Sequence, residues 1–103
     1  DAEWVANARR ERERDTAKLR EMTAAGQGEP LTRPVYTYLA QTPSALLGVA
    51  LDDLGGEVDP VNLPGVAGDV YPSWRRRMRG AVQEIARDPQ VKATLAAIRR
   101  ERP

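Results

Sequence analysis

From Ala2 to Ala25 the chain holds no proline or glycine and is rich in alanine, arginine, glutamate and leucine, residues that favour helix. One long helix is predicted there, stopped by Gly26 and Gly28. Its apolar positions are Trp4, Val5 and Ala8 near one end and Leu19 and Met22 near the other. Between them runs Arg9–Asp15, seven consecutive charges of mixed sign. At helical spacing Arg10 can meet Glu13, and Glu11 can meet Arg14. The pattern predicts a helix that docks at its two ends and leaves its middle in water.

Gln27–Pro34 contains Gly28, Pro30 and Pro34 and is expected to be a loop. Leu31, Val35, Tyr38 and Leu39 then recur at helical spacing, which predicts a short second helix ending before Pro43. Ser44–Leu54 is the most apolar stretch, and periodicity alone leaves its class open. Thr42-Pro43 suits a helix cap followed by a first-turn proline. The bounding Pro43 and Asp52-Asp53-Leu54-Gly55-Gly56 suit a strand buried on both faces. Glu57–Ser73 is long and irregular, with Pro60, Pro64, Gly65, Gly68 and Pro72. Val58, Val61, Leu63, Val66, Val70 and Tyr71 make it a packed, ordered loop rather than a disordered one. Trp74–Arg87 returns to helical spacing through Met78, Val82, Ile85 and Ala86. Asp88-Pro89 opens a last helix with Val91, Leu95 and Ile98 inward, and Arg99, Arg100 and Arg102 fall where a helix dipole favours cations.

Composition narrows the chemistry. The chain has 103 residues, one small domain at most or a part of a larger one, with 5% aromatic residues and no phenylalanine. Without cysteine there is no disulfide, thiolate zinc site or thiol nucleophile, and without histidine no Ser-His-Asp triad or imidazole base. Neither a signal peptide nor an apolar run near the roughly 20 residues of a membrane span is present, so no membrane partner and a cytoplasmic setting are expected. The start at Asp1 points to processing or to a piece of a longer polypeptide. The net charge of +1 hides an uneven distribution: residues 74–103 carry nine basic against three acidic groups, and residues 30–73 one against five.

Three motifs in order carry a resemblance. Pro43-Ser44-Ala45-Leu46-Leu47-Gly48-Val49-Ala50-Leu51-Asp52-Asp53-Leu54-Gly55-Gly56 is similar to a late barrel strand of the amylomaltases, 4-α-glucanotransferases of glycoside hydrolase family 77. Val61-Asn62-Leu63-Pro64-Gly65 follows at that family's spacing, and Pro72-Ser73-Trp74-Arg75-Arg76-Arg77 resembles its Pro-Asn-Trp-Arg-Arg. Val66 stands where the family usually has threonine and Ser73 where asparagine is typical; the Val66–Tyr71 loop looks longer and less polar than usual. The resemblance implies an α/β fold, the C-terminal part of a (β/α)8 barrel, although the chain by itself is mostly α. Residues 1–41 would be helices, 45–51 the last strand, 52–73 a loop at the rim and 74–102 helices. It implies a retaining transfer of α-1,4-glucan segments between malto-oligosaccharides, using an Asp nucleophile, a Glu acid/base and a second Asp, all upstream of this segment. No cofactor and no metal are expected. The implied partners are an α-glucan and the remainder of the same polypeptide.

Within that frame Asn62, Pro64 and Gly65 are the expected substrate-binding residues. An uncharged amide both donates and accepts, which suits paired sugar hydroxyls, while Pro64-Gly65 would hold the turn and admit close backbone approach. The plainer expectation is that Asn62 bonds loop backbone. Asp52 and Asp53, adjacent on a strand, would face opposite ways and serve structural roles, one capping the loop and the other pairing with a base. Tyr71 and Trp74 could stack on sugars, though Trp74 at a helix start better suits an anchor in the core. The alternative is a small basic helical adaptor in which Arg75, Arg76, Arg77, Arg79, Arg99, Arg100 and Arg102 meet nucleic acid or an acidic protein. The lack of interleaved aromatics and of any nucleic-acid motif counts against it. A purely helical interaction module is a third option.

Overall fold

A computed structural model describes the whole chain, Asp1 to Pro103. Five helices occur in order: α1 (Ala2–Thr23), α2 (Thr32–Ala40), α3 (Leu51–Leu54), α4 (Val82–Arg87) and α5 (Pro89–Glu101). The chain is mostly helical and contains no strand. No helix is long and apolar enough to cross a membrane.

Asp1 caps α1 by accepting from Glu3 N–H at 2.9 Å. The helix ends at Ala24, which takes the left-handed conformation (φ 55°), and Ala25 N–H returns to Arg20 C=O at 3.0 Å. The reversal therefore comes two residues before the first of the expected glycines. The Arg20 guanidinium holds the turn that follows, donating to Gly26 C=O at 2.9 Å and Glu29 C=O at 2.7 Å. Arg33, by hydrogen bonding, and next the Gly26 N–H lower the Glu29 carboxyl pKa. Docking of α1 at both ends is not observed. No α1 residue is buried, and Trp4 is 70% exposed. Only the C-terminal part of the helix is stitched to its neighbours.

The core lies between α2 and α5. Pro34, Tyr36 and Ala40 from α2, Ile85 from α4, and Val91, Thr94 and Ala97 from α5 are its buried residues. Of the expected inward positions Val91 is buried and Leu31, Val35 and Ile98 are half-buried, whereas Tyr38, Leu39 and Leu95 are exposed. Asp88 caps α5 through Gln90 N–H at 2.7 Å, with Pro89 in the first turn, as the Asp-Pro pair predicts. At its other end Arg102 donates to Ala40 C=O at 3.0 Å and Thr42 C=O at 3.1 Å, satisfying carbonyls that α2 leaves open.

Residues 45–50 have no regular structure, so the strand expected at 45–51 does not form in this chain. A parallel strand takes its hydrogen bonds from neighbouring strands, and the chain supplies none. Leu46 is accordingly 88% exposed. The segment is nevertheless tethered, because Ala50 N–H donates to the Tyr36 hydroxyl at 3.1 Å and that hydroxyl donates to Asp53 Oδ2 at 2.5 Å. Asp53 thus pairs with a tyrosine rather than with a base, and it stands on α3 rather than on a strand. The helix expected from Trp74 is also shorter. Trp74 has φ 63°, outside the right-handed helical region, and only Val82–Arg87 is helical. Glu84 caps that short helix by accepting from Ala81 N–H at 3.0 Å. Gly55 packs so closely under Met78 and Ile85 that a Cβ there would lie 2.8 Å from the Met78 methyl.

A self-contained globule of this size would expose about 5,800 Å². This chain exposes 8270 Å². Its radius of gyration of 16.2 Å likewise exceeds the roughly 13 Å of a compact 100-residue domain.

Burial, and secondly the hydrogen bond with Asp53, raises the Tyr36 pKa above its ordinary 10.0. The folded chain then holds the phenolic proton more tightly than the unfolded one. That contribution to stability is complete below about pH 10 and is lost as the pH climbs through the folded-state pKa. Tyr36→Phe is expected to lower stability by about 1–2 kcal/mol in urea at neutral pH, since it leaves Asp53 and Ala50 N–H without their partner. It should also flatten the alkaline decline. Equal stability with an unchanged decline would show that the tether contributes nothing.

Candidate functional site

After α3 the chain turns at Gly55 and at Gly56 (φ 69°) into a loop that runs out along residues 56–63 and back along 71–79. The two limbs are laced along their length. Glu57 accepts from Arg79 N–H at 2.6 Å, and the Arg79 guanidinium donates to Gly56 C=O. Arg76 pairs with Asp59 and lies 5.3 Å from the centre of the Tyr71 ring, whose hydroxyl donates to Pro60 C=O. Nearer the tip, Trp74 N–H donates to Val61 C=O at 2.9 Å, and Leu63 N–H donates to Ser73 Oγ at 3.1 Å. Arg75 reaches across the tip to Gly68 C=O. Most of these contacts are solvent-exposed, and each is worth about 1 kcal/mol or less, so they position the loop more than they stabilise the fold.

Leu63–Val66 forms the first turn of the tip, closed by Val66 N–H to Leu63 C=O at 3.3 Å, with Gly65 at φ 76°. Gly65 is needed for that backbone angle, and the space beside it is open. Asn62 is half-buried and lies between the two residues, Val61 and Leu63, whose backbone groups hold the limbs together. Its carboxamide has no partner within the chain and is open to water, whereas the Ser73 hydroxyl closes the loop backbone. Asn62, Pro64 and Gly65 therefore share one laced tip, with the amide unspent. The residue that sequence reasoning passed over is Ser73. It counted only as a departure from asparagine, and its acceptor role depends on a residue ten positions away.

The Asp52 side lines a cleft with Glu57, Asp59, Pro60, Arg76 and Arg77, but its volume is about 40 Å³. Ligand pockets run to about 300–1,000 Å³, so this cleft takes water and not a sugar. No group of acidic, cysteine or histidine residues could hold a metal ion. Trp74 does not anchor a core; it is 76% exposed. The basic surface of the adaptor reading is also broken up. Arg75, Arg76 and Arg79 are committed across the loop, and Arg102 to the end of α2.

The laced tip, with its uncharged amide and its glycine turn, is the part of the chain with the most polar groups held in one place, and comparison with known proteins gives the family it belongs to. The family model of glycoside hydrolase family 77, 4-alpha-glucanotransferase, matches residues 2–83, and the chain belongs to that family. Curated relatives named 4-alpha-glucanotransferase, from Mycobacterium bovis and Mycobacterium tuberculosis, are 37% identical over 81 residues. The match covers 74% of this chain and 11% of each relative, so the chain corresponds to a small part of their length. No solved structure matches the chain.

Removing the Ser73 hydroxyl leaves Leu63 N–H without its acceptor. Ser73→Ala and Gly65→Ala are each expected to cost about 1 kcal/mol in denaturant unfolding, the first through the lost hydrogen bond and the second through a left-handed backbone angle. Hydrogen exchange should quicken at Leu63 in the serine variant alone. Unchanged exchange at that amide would remove Ser73 from the loop's support.

Proposed function

We propose that the chain is part of a retaining 4-α-glucanotransferase that passes α-1,4-glucan segments between malto-oligosaccharides in the cytoplasm. This part supplies a glucan-contacting loop, and the nucleophile, acid/base and second aspartate come from elsewhere in the polypeptide. The family match carries the reading, since it spans the whole of the Asn62-Leu63-Pro64-Gly65 tip. The unspent Asn62 carboxamide supports the role given to that tip. It brings a donor and an acceptor without a charge to desolvate, and Pro64-Gly65 sets the turn beside it.

The exposed surface supports the proposal that the remainder of the same polypeptide covers this chain. Leu46 and its neighbours along residues 45–51 would then find strand partners and complete the last strand of a (β/α)8 barrel. Residues 52–73 would lie at the C-terminal rim, where barrel enzymes assemble their sites.

In the full-length protein, Asn62→Ala is expected to lower kcat/KM for maltotriose disproportionation on the order of tenfold, the effect of one lost hydrogen bond of about 1.4 kcal/mol. Glucose release gives the readout. Wild-type kinetics in the variant, or a full-length protein that releases no glucose from maltotriose, would sink the reading.

A further inference from the structure

We propose that the Trp74 indole is a stacking platform for a glucose ring of the bound α-glucan, adjoining Asn62; this rests on the glucan-contact reading of the loop. The backbone of Trp74 is the first observation. Its φ of 63° is a left-handed angle that a bulky aromatic residue adopts only when its surroundings impose it. Here they do. Trp74 N–H is held by Val61 C=O at 2.9 Å, and Ser73 before it by Leu63 N–H at 3.1 Å. Backbone outliers of this kind gather at ligand-binding positions, where the fold holds a side chain in a conformation it would not choose.

The second observation is where the side chain goes. A tryptophan in a helix start would bury its ring, but this ring is 76% exposed on a segment fixed at both limbs. Tyr71, the other aromatic of the loop, is not free for such use. Arg76 lies 5.3 Å from its ring centroid, and its hydroxyl bonds to Pro60 C=O. Arg75 and Arg76, which flank Trp74 on its C-terminal side, are turned back to Gly68 and Asp59 and leave the indole uncovered.

The third observation ties the ring to Asn62. The two hydrogen bonds that hold Ser73 and Trp74 end on Val61 and Leu63, the residues on either side of Asn62. The loop thus places the amide-bearing and the indole-bearing residue on facing limbs, with these two hydrogen bonds between them. A pyranose offers hydroxyls around its edge and an apolar face of C–H bonds. The amide suits the edge, and the electron-rich indole suits the face. An uncharged pair of this kind binds a neutral sugar without desolvating an ion.

Steady-state disproportionation of maltoheptaose by the full-length protein tests this, with products resolved by chromatography. Trp74→Gly and Trp74→Leu are each expected to raise KM about tenfold with kcat within about threefold, the pattern of lost ground-state binding. Trp74→Phe should stay within about threefold of wild type in KM, since it keeps an aromatic face. Glycine suits a φ of 63°, so the glycine variant should keep its melting temperature. Should it fail to fold, the leucine and phenylalanine variants decide: leucine equal to phenylalanine overturns the proposal. A wild-type KM in the glycine or leucine variant overturns it as well. Asn62→Ala, measured alongside, separates the two ideas. If it alone raises KM or lowers kcat, stacking fails and the glucan-contact loop stands; if no variant alters the kinetics, both fail.

Discussion

The Tyr36 hydroxyl accepts from Ala50 N–H and donates to Asp53, and through those two bonds the loop is hung from the helical core. Tyr36 itself is buried between α2 and α5, the one well-packed interface in the chain. Its ring belongs to the core and its hydroxyl belongs to the segment that leads to the loop. Everything from Ala50 to Arg79 takes its starting point from that contact. Gly55 refines it, because the absence of a Cβ lets the chain pass beneath Met78 and Ile85 before the loop begins.

Beyond the tether, order in the loop comes from polar contacts between limbs rather than from burial. Backbone donors find side-chain acceptors at Glu57 and Ser73, and arginine donors find carbonyls at Gly56 and Gly68. Such contacts are individually weak in water, yet together they specify one path for the backbone. That balance fixes the base of the loop and leaves side chains at its outer end uncommitted. Its tip keeps a free amide and an exposed ring while its base stays in register.

The same balance accounts for the large exposed surface. A seven-residue core cannot cover the apolar side chains of a family 77 segment, and Trp4, Leu46, Val58 and Val70 remain in water. The chain behaves as one face of a larger assembly would, with local hydrogen bonding complete and apolar burial incomplete. Membership of a family in which it matches 11% of the relatives' length is in keeping with that.

Local rules were enough to read α1 and its mixed-charge middle, the Asp88-Pro89 start of α5, and the ordered character of residues 57–73, because caps, propensities and turn residues act over a few positions. They also located the Asn62-Leu63-Pro64-Gly65 turn, whose glycine carries the backbone angle the turn requires. Contacts between distant residues decided the rest. Tyr36 displaced Tyr38 as the inward aromatic because only its hydroxyl reaches Asp53 and Ala50. Ser73 became an acceptor and Trp74 left the helical region because their partners lie on the opposite limb of the loop. Residues 45–51 show the limit most plainly: their apolar run suits a strand, but a strand takes its hydrogen bonds from neighbouring strands, and this chain forms none.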